Sequence, residues 1–139
     1  MDPREFTALA IRLTQRATAG TPAECRTAIS RAYYAAFNVG AEHLRTMGFR
    51  VGKGAAAHGE VQRSLANSGN AGVVAAASEL NDLHTSRNRA DYQLDRLDVE
   101  SSANARGFVA QAQVAIRALD AAFGGLERAQ LQVSIQKWR

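Results

Sequence analysis

The sequence predicts an all-α fold: an antiparallel up-and-down bundle of four main helices with shorter helices between them. Three observations lead there. Hydrophobic residues make up 46% of the chain, many of them alanine, and only two prolines occur, a composition that favours helix over strand-rich architectures. Apolar residues recur at steps of three and four over long windows. Each window opens on a helix-capping residue. The 139 residues suffice for one domain with a real core. The bundle is expected over residues 1–125, with 126–139 as a tail.

The first helix starts at Asp2-Pro3, a cap followed by proline at the first helical position. Phe6, Leu9, Ala10, Leu13 and Ala17 keep helical spacing, and Gly20 supplies a stop. The stretch "TPAE" opens the second helix, with Thr21 as cap, Pro22 at the first position and Glu24 as the capping-box carboxylate. Its stripe of Ile29, Tyr33, Ala36, Phe37, Gly40, Leu44 and Met47 runs to about Met47. Its alanines and Gly40 suit close approach by another helix. "GFRVGKGAAAHG" is a glycine-rich connection. It departs from a phosphate-binding P-loop, because its glycines are one residue too close and Gly54 stands where Ser or Thr would bind magnesium.

A short helix with Val61 and Leu65 follows, closed by "NSGN". Asn70 caps a helix through Val73, Ala77, Leu80 and Leu83. After the turn "DRLD", Asp98 is the expected cap of a last long helix. Phe108, Val109, Ala112, Ile116, Leu119 and Phe123 form its stripe, and Gly124-Gly125 end it. In the tail, Leu131, Val133 and Ile135 alternate like a strand, whereas Leu126, Ala129 and Val133 suit a helix. Both conformations stay open there.

Composition narrows the function classes. No apolar run approaches the roughly 18 residues that would span a bilayer, and "MDPREF" does not read as a secretory leader. The single Cys25 excludes an intramolecular disulfide and a cysteine-based metal cage, which points to a cytosolic protein. No metal or cofactor motif is found. The net charge of +4 permits contact with phosphates, but the scattered arginines do not form a nucleic-acid coat.

The fourth helix ends in "HTSRNRADY". His84, Arg87, Asn88, Asp91 and Tyr92 share one helical face. His84, Arg87 and Asp91 continue the stripe of Val73, Ala77 and Leu80, so this polar face points inward. Burying Arg and Asp costs several kcal/mol unless they pair or meet solvent in a cleft. Arg87 and Asp91 can pair at i, i+4, and Tyr92 can donate to a carboxylate. Arg26, Ser30, Tyr33, Tyr34 and Phe37 share a similar face of the second helix. If the two faces meet, Ser30 and one tyrosine can bond Arg87 or Asp91 in a polar seam.

"SRAYYAAF" in a long second helix, "KGAAAHGEV" in a glycine-rich loop and "LHTSRNRADY" ending a later helix together resemble the HEPN domain family. The likeness is to its small stand-alone prokaryotic members, whose later helix ends in an "R..ADY" pattern, and it covers roughly residues 5 to 123. The resemblance implies a cytosolic helical bundle that dimerises. Many members are metal-independent ribonucleases, often toxins paired with a nucleotidyltransferase antitoxin, and others are noncatalytic.

The catalytic pattern has an arginine, a polar residue after it, and a histidine four to six residues beyond the arginine. Arg87 and Asn88 match the first two, but Tyr92, Gln93 and Leu94 stand where the histidine belongs. A phenol with a pKa of about 10 is a poor substitute at neutral pH. His84, one turn upstream, and His58, in the glycine-rich loop, are the remaining histidine candidates near this motif. The resulting expectation is a dimeric binding or interaction module for a protein partner or a nucleotide or RNA phosphate. The polar seam or binding set is then Ser30, Tyr33, Tyr34, Asp91 and His58. The alternative is an endoribonuclease toxin with a variant site of Arg87, Asn88, Tyr92 and His84, paired with a nucleotidyltransferase antitoxin.

Overall fold

The computed structural model of the chain describes residues 1–15 and 20–139. The described residues form helices joined by turns, with no strand among them. In chain order these are α1 (Arg4–Thr14), α2 (Pro22–Thr46), α3 (Ala55–Ala66), α4 (Ala71–Tyr92), a 3₁₀ turn (Leu97–Glu100), α5 (Ser102–Phe123) and α6 (Arg128–Trp138). α1, α2, α4 and α5 are the four members of the expected bundle, apart from Ala17, which lies outside the described residues.

The caps explain most of the boundaries. Asp2 Oδ1 accepts from the backbone N–H of Arg4 at 2.9 Å. Thr21 Oγ1 accepts from Glu24 N at 3.2 Å, and Asn70 Oδ1 from Val73 N at 3.1 Å, each satisfying an orphan donor of a first turn. One expected cap fails. Asp98 does not start α5, because its carboxylate pairs with Arg96 at 3.0 Å inside the turn. Ser101 takes the role, its Oγ accepting from Asn104 N at 3.3 Å.

Side-chain contacts set the helix directions. Along α2 and α4, Arg26 meets Ala90 and Gln93, Ser30 meets Asp91, and Tyr34 meets Arg87, so the two helices run antiparallel. Arg4 with Asp120 and Arg106 with Thr14 make α1 and α5 antiparallel. Cys25 with Ser102 and His43 with Asp120 make α2 and α5 parallel, as diagonal members of an up-and-down bundle must be.

The α2 stripe from Ile29 to Met47 is buried as its periodicity predicts. At Gly40 a Cβ would stand 3.2 Å from Leu65 and 3.3 Å from Val61, so glycine lets α3 lie against the middle of α2. The tail resolves as helix. α6 buries Leu131 and Ile135, one turn apart, in the main core, while Val133 faces outward. Each fully buried side chain of that size is worth about 1.5–3 kcal/mol, which a lone exposed strand would forgo. No helix among the described residues is long and apolar enough to cross a membrane.

Candidate functional site

The faces of α2 and α4 meet in the predicted polar seam. Ser30 Oγ donates to Asp91 Oδ2 at 3.1 Å. Arg87 Nε lies 2.9 Å from the same oxygen, an ion pair whose angle is too bent for a hydrogen bond. The rest of the guanidinium is also engaged: Nη1 donates to Asn88 Oδ1 at 2.9 Å, and Nη2 donates to the Tyr34 hydroxyl. The Tyr34 ring also lies 5.0 Å from Arg87 Cζ and 5.1 Å from Arg31 Cζ, within cation–π range of both. With side-chain exposures of 12% for Arg87 and 28% for Asp91, the pair is mostly enclosed structure with one side to solvent.

Tyr92 departs from its expected part. It meets Arg87 through its ring, 5.3 Å from Cζ, and is 71% exposed; the hydroxyl bonded to Arg87 is that of Tyr34. The reason is position. Tyr92, the last residue of α4, turns its ring outward, while Ser30 and Tyr34 of α2 take the places on Asp91 and Arg87.

Directly N-terminal to the seam is a cluster of rings. Buried Tyr33 places its hydroxyl 2.5 Å from His58 Nδ1. His58 stacks on His84 with centroids 5.2 Å apart and planes 15° from parallel, and it lies 4.3 Å from the Phe37 ring. Burial is the main force on all three ionisable groups. It pushes the Tyr33 phenol well above its usual range, against the opposing field of Arg87. Burial lowers His58, helped by the nearby His84 and Arg87, and lowers His84, helped by Arg87. With those directions, the tautomer is assigned: Tyr33 O–H donates to a neutral His58 Nδ1, which leaves the His58 proton on Nε2. The structure therefore brings both histidines into one cluster within the field of Arg87, with His58 in the first turn of α3 and not in the glycine-rich loop where the sequence placed it.

His58 also borders a cleft of about 310 Å³. Tyr34, Phe37 and Asn38 line it from α2, and Gly52, Lys53 and Gly54 from the glycine-rich loop. Arg45, in the last turn of α2, completes it as a second exposed cation beside Lys53. A smaller hollow of about 110 Å³ opens on the other side, between Tyr33, Gln62, Asn81 and His84. Two larger hollows, of about 370 and 470 Å³, lie against α5 and carry no histidine or seam residue. The smaller clefts are the chemically equipped ones. Among the described residues no three His, Cys, Asp or Glu side chains converge as a metal site.

Sequence reasoning missed two contributors. Arg45 stands seven and eleven residues after Asn38 and Tyr34, a helical spacing that places all three on one face, so the signal was present. Arg26 was seen on the α2 face, but its task was not. Its guanidinium is buried and donates to the carbonyls of Arg89, Ala90, Gln93, Leu94 and Arg96, while Glu100 balances its charge at 2.9 Å. Arg26 thus gathers the C-terminal carbonyls of α4 and the turn after it, which holds Arg87 and Asp91 at the correct height on α2.

Comparisons of the chain with family models, with curated proteins and with solved structures each return no match. The functional reading accordingly rests on the chemistry of the cleft and the seam.

Proposed function

We propose that the chain is a HEPN-like helical module that binds RNA or a nucleotide, taking a phosphate in the cleft between α2 and the glycine-rich loop. The observation that supports this reading is the composition of that cleft: exposed Arg45 and Lys53 beside the rings of Tyr34, Phe37 and His58. Cations meet phosphate, and aromatic faces accept a base without regard to its sequence. Arg87 is not the clamp in this reading, because each terminal nitrogen already donates, to Asn88 and to Tyr34, and Asp91 balances its charge. It stiffens the wall that carries Tyr34.

The test is fluorescence anisotropy of a labelled single-stranded oligoribonucleotide in EDTA. Each of Arg45→Ala and Lys53→Ala is expected to weaken binding several-fold and to reduce the salt slope by about one. Equal binding by wild type and by the double variant would sink the proposal.

One observation favours a second reading, a metal-independent endoribonuclease. The histidine absent from positions 92 to 94 has two candidates in space, His58 and His84, both held toward the neutral form beside Arg87. A neutral imidazole can take the 2′-hydroxyl proton, and the second, once protonated, can release the leaving oxygen. Cleavage in EDTA that disappears in folded His84→Gln supports this reading. Intact RNA with wild-type protein excludes it and leaves the binding module standing.

The module is further proposed to pair with a second copy through the exposed Tyr92, Leu94 and Leu97 beside the seam, or to offer that surface to a nucleotidyltransferase-type partner.

A further inference from the structure

We infer that Arg139, acting through Glu60, is the positioning residue that holds the glycine-rich wall of the cleft, so that docking of α6 sets the shape of the ligand site. The inference rests on the reading of that cleft as the ligand site. It begins with where the wall is fastened. The segment from Gly48 to Gly54 joins α2 to α3 and contains two glycines with positive φ, Gly48 at 93° and Gly54 at 84°. Such a connection has little conformational preference of its own. Its hold comes from outside. Gly52 N donates to Glu60 Oε2 at 3.2 Å, and Gly52, Lys53 and Gly54 are the residues that face the cleft.

The other oxygen of that carboxylate belongs to α6. Arg139 Nη2 reaches Glu60 Oε1 at 2.5 Å and also donates to the backbone carbonyl of Arg50 inside the connection. Its Nη1 donates to Ser64 Oγ at 3.1 Å, and its Cζ lies 5.4 Å from the ring of Phe49. One guanidinium therefore touches the connection at Phe49 and Arg50, and α3 at Glu60 and Ser64. Glu60 relays the contact to Gly52. α6 brings Arg139 to this place by burying Leu131 and Ile135.

A planar fork can serve these acceptors together, whereas an ammonium acts as a point charge. The arrangement gives Lys53 a defined approach to the cleft, and it ties that approach to a helix that lines no part of the cleft itself. Undocking α6 would release Gly52 without disturbing the seam of Arg87 and Asp91.

The test compares Arg139→Ala, Glu60→Ala and Arg139→Lys with wild type by amide hydrogen exchange and by anisotropy with the same labelled oligoribonucleotide. Gly52 N–H is expected to exchange about 5- to 10-fold faster in both alanine variants. The double variant is expected to be no faster than either single one, because both cut the same chain of contacts. Oligoribonucleotide affinity is expected to fall about 3- to 10-fold in step, with Arg139→Lys between wild type and alanine. Ile29→Val trims the separate core cluster near the start of α2, away from α6 and the chain of contacts, so it keeps Gly52 exchange near wild type and separates a local effect from general loosening.

Unchanged Gly52 exchange in Arg139→Ala overturns the inference. So does faster exchange with unchanged affinity, since the wall would then be held but not matter. A wild-type protein that binds no RNA overturns the reading of the cleft, and the positioning role with it. Gly52 exchange in that case still decides whether Arg139 fastens the connection.

Discussion

At the residue scale, the two stacked histidines tie stability to pH. Burial lowers both His58 and His84 relative to an unfolded histidine near 6.5. A folded state that disfavours the charged form holds its full stability above that unfolded value and loses it as pH falls through the lower folded values. Urea midpoints are therefore expected to be level from about pH 8 to 7 and to decline from about pH 6.5 downward. A His58→Gln, His84→Gln double variant is expected to remove the decline in that window. Asp120 adds a separate, more acidic arm. Burial acts to raise its carboxyl, but bonds from Arg4 and His43 outweigh that and lower it, so its stabilising share is lost only in stronger acid. For the seam, Arg87→Ala and Asp91→Ala are each expected to cost about 1–4 kcal/mol in denaturant melts, with Asp91→Ala the larger because it leaves the mostly enclosed Arg87 unpaired, whereas Arg87→Ala leaves an Asp91 that reaches solvent. Neutral results would mean that water replaces the partner at no cost. The seam was legible in sequence because His84, Arg87 and Asp91 keep the period of the apolar stripe, and because Ser30 and Tyr34 keep the period of α2. The partnership of His58 with Tyr33 and His84 was not, since no period links residues on three different helices.

At the element scale, the end of α4 is the point on which the site depends. Five carbonyls of that end and its following turn accept from the single guanidinium of Arg26. Arg26→Ala is expected to destabilise the fold by about 3–5 kcal/mol, as removing one partner of an enclosed charged network does. Arg26→Lys should recover little of that, because one ammonium cannot reach acceptors spread over eight residues. A loss below about 1 kcal/mol in urea melts would show that α4 ends securely without it. Helix starts were well marked by Asp2, Thr21 and Asn70, whose side chains act on backbone within three residues. Asp98 misled for the same local reason. It is a competent cap, but neighbouring Arg96 engaged it first and Ser101 stood closer to the helix. Arg26 shows the opposite limit. A helix C-terminus capped from another helix leaves no local trace in the sequence.

At the scale of the whole molecule, the bundle followed from periodicity, yet the tail did not. Alternating Leu131, Val133 and Ile135 fit two conformations until the core offered room for residues one turn apart. Residues that remain uncovered carry the assembly prediction. Tyr92, Leu94 and Leu97 are 71%, 75% and 71% exposed within one short segment. Acidic and basic neighbours, Arg89, Asp95, Arg96 and Asp98, surround them with charge of both signs, which suits a self-complementary contact. Light scattering is expected to give a dimer that Leu94→Asp, Leu97→Asp converts to monomer with unchanged helix content. A wild-type monomer at all concentrations would remove the pairing. α6 has one more consequence. Trp138 is the chain's only tryptophan, it is 41% exposed, and it directly precedes Arg139. Excited beyond the absorption of Tyr33, Tyr34 and Tyr92, its emission colour and quenching by iodide form a label-free optical gauge of α6. A red shift ahead of the loss of helix ellipticity on heating would time the release of α6 against the melting of the bundle.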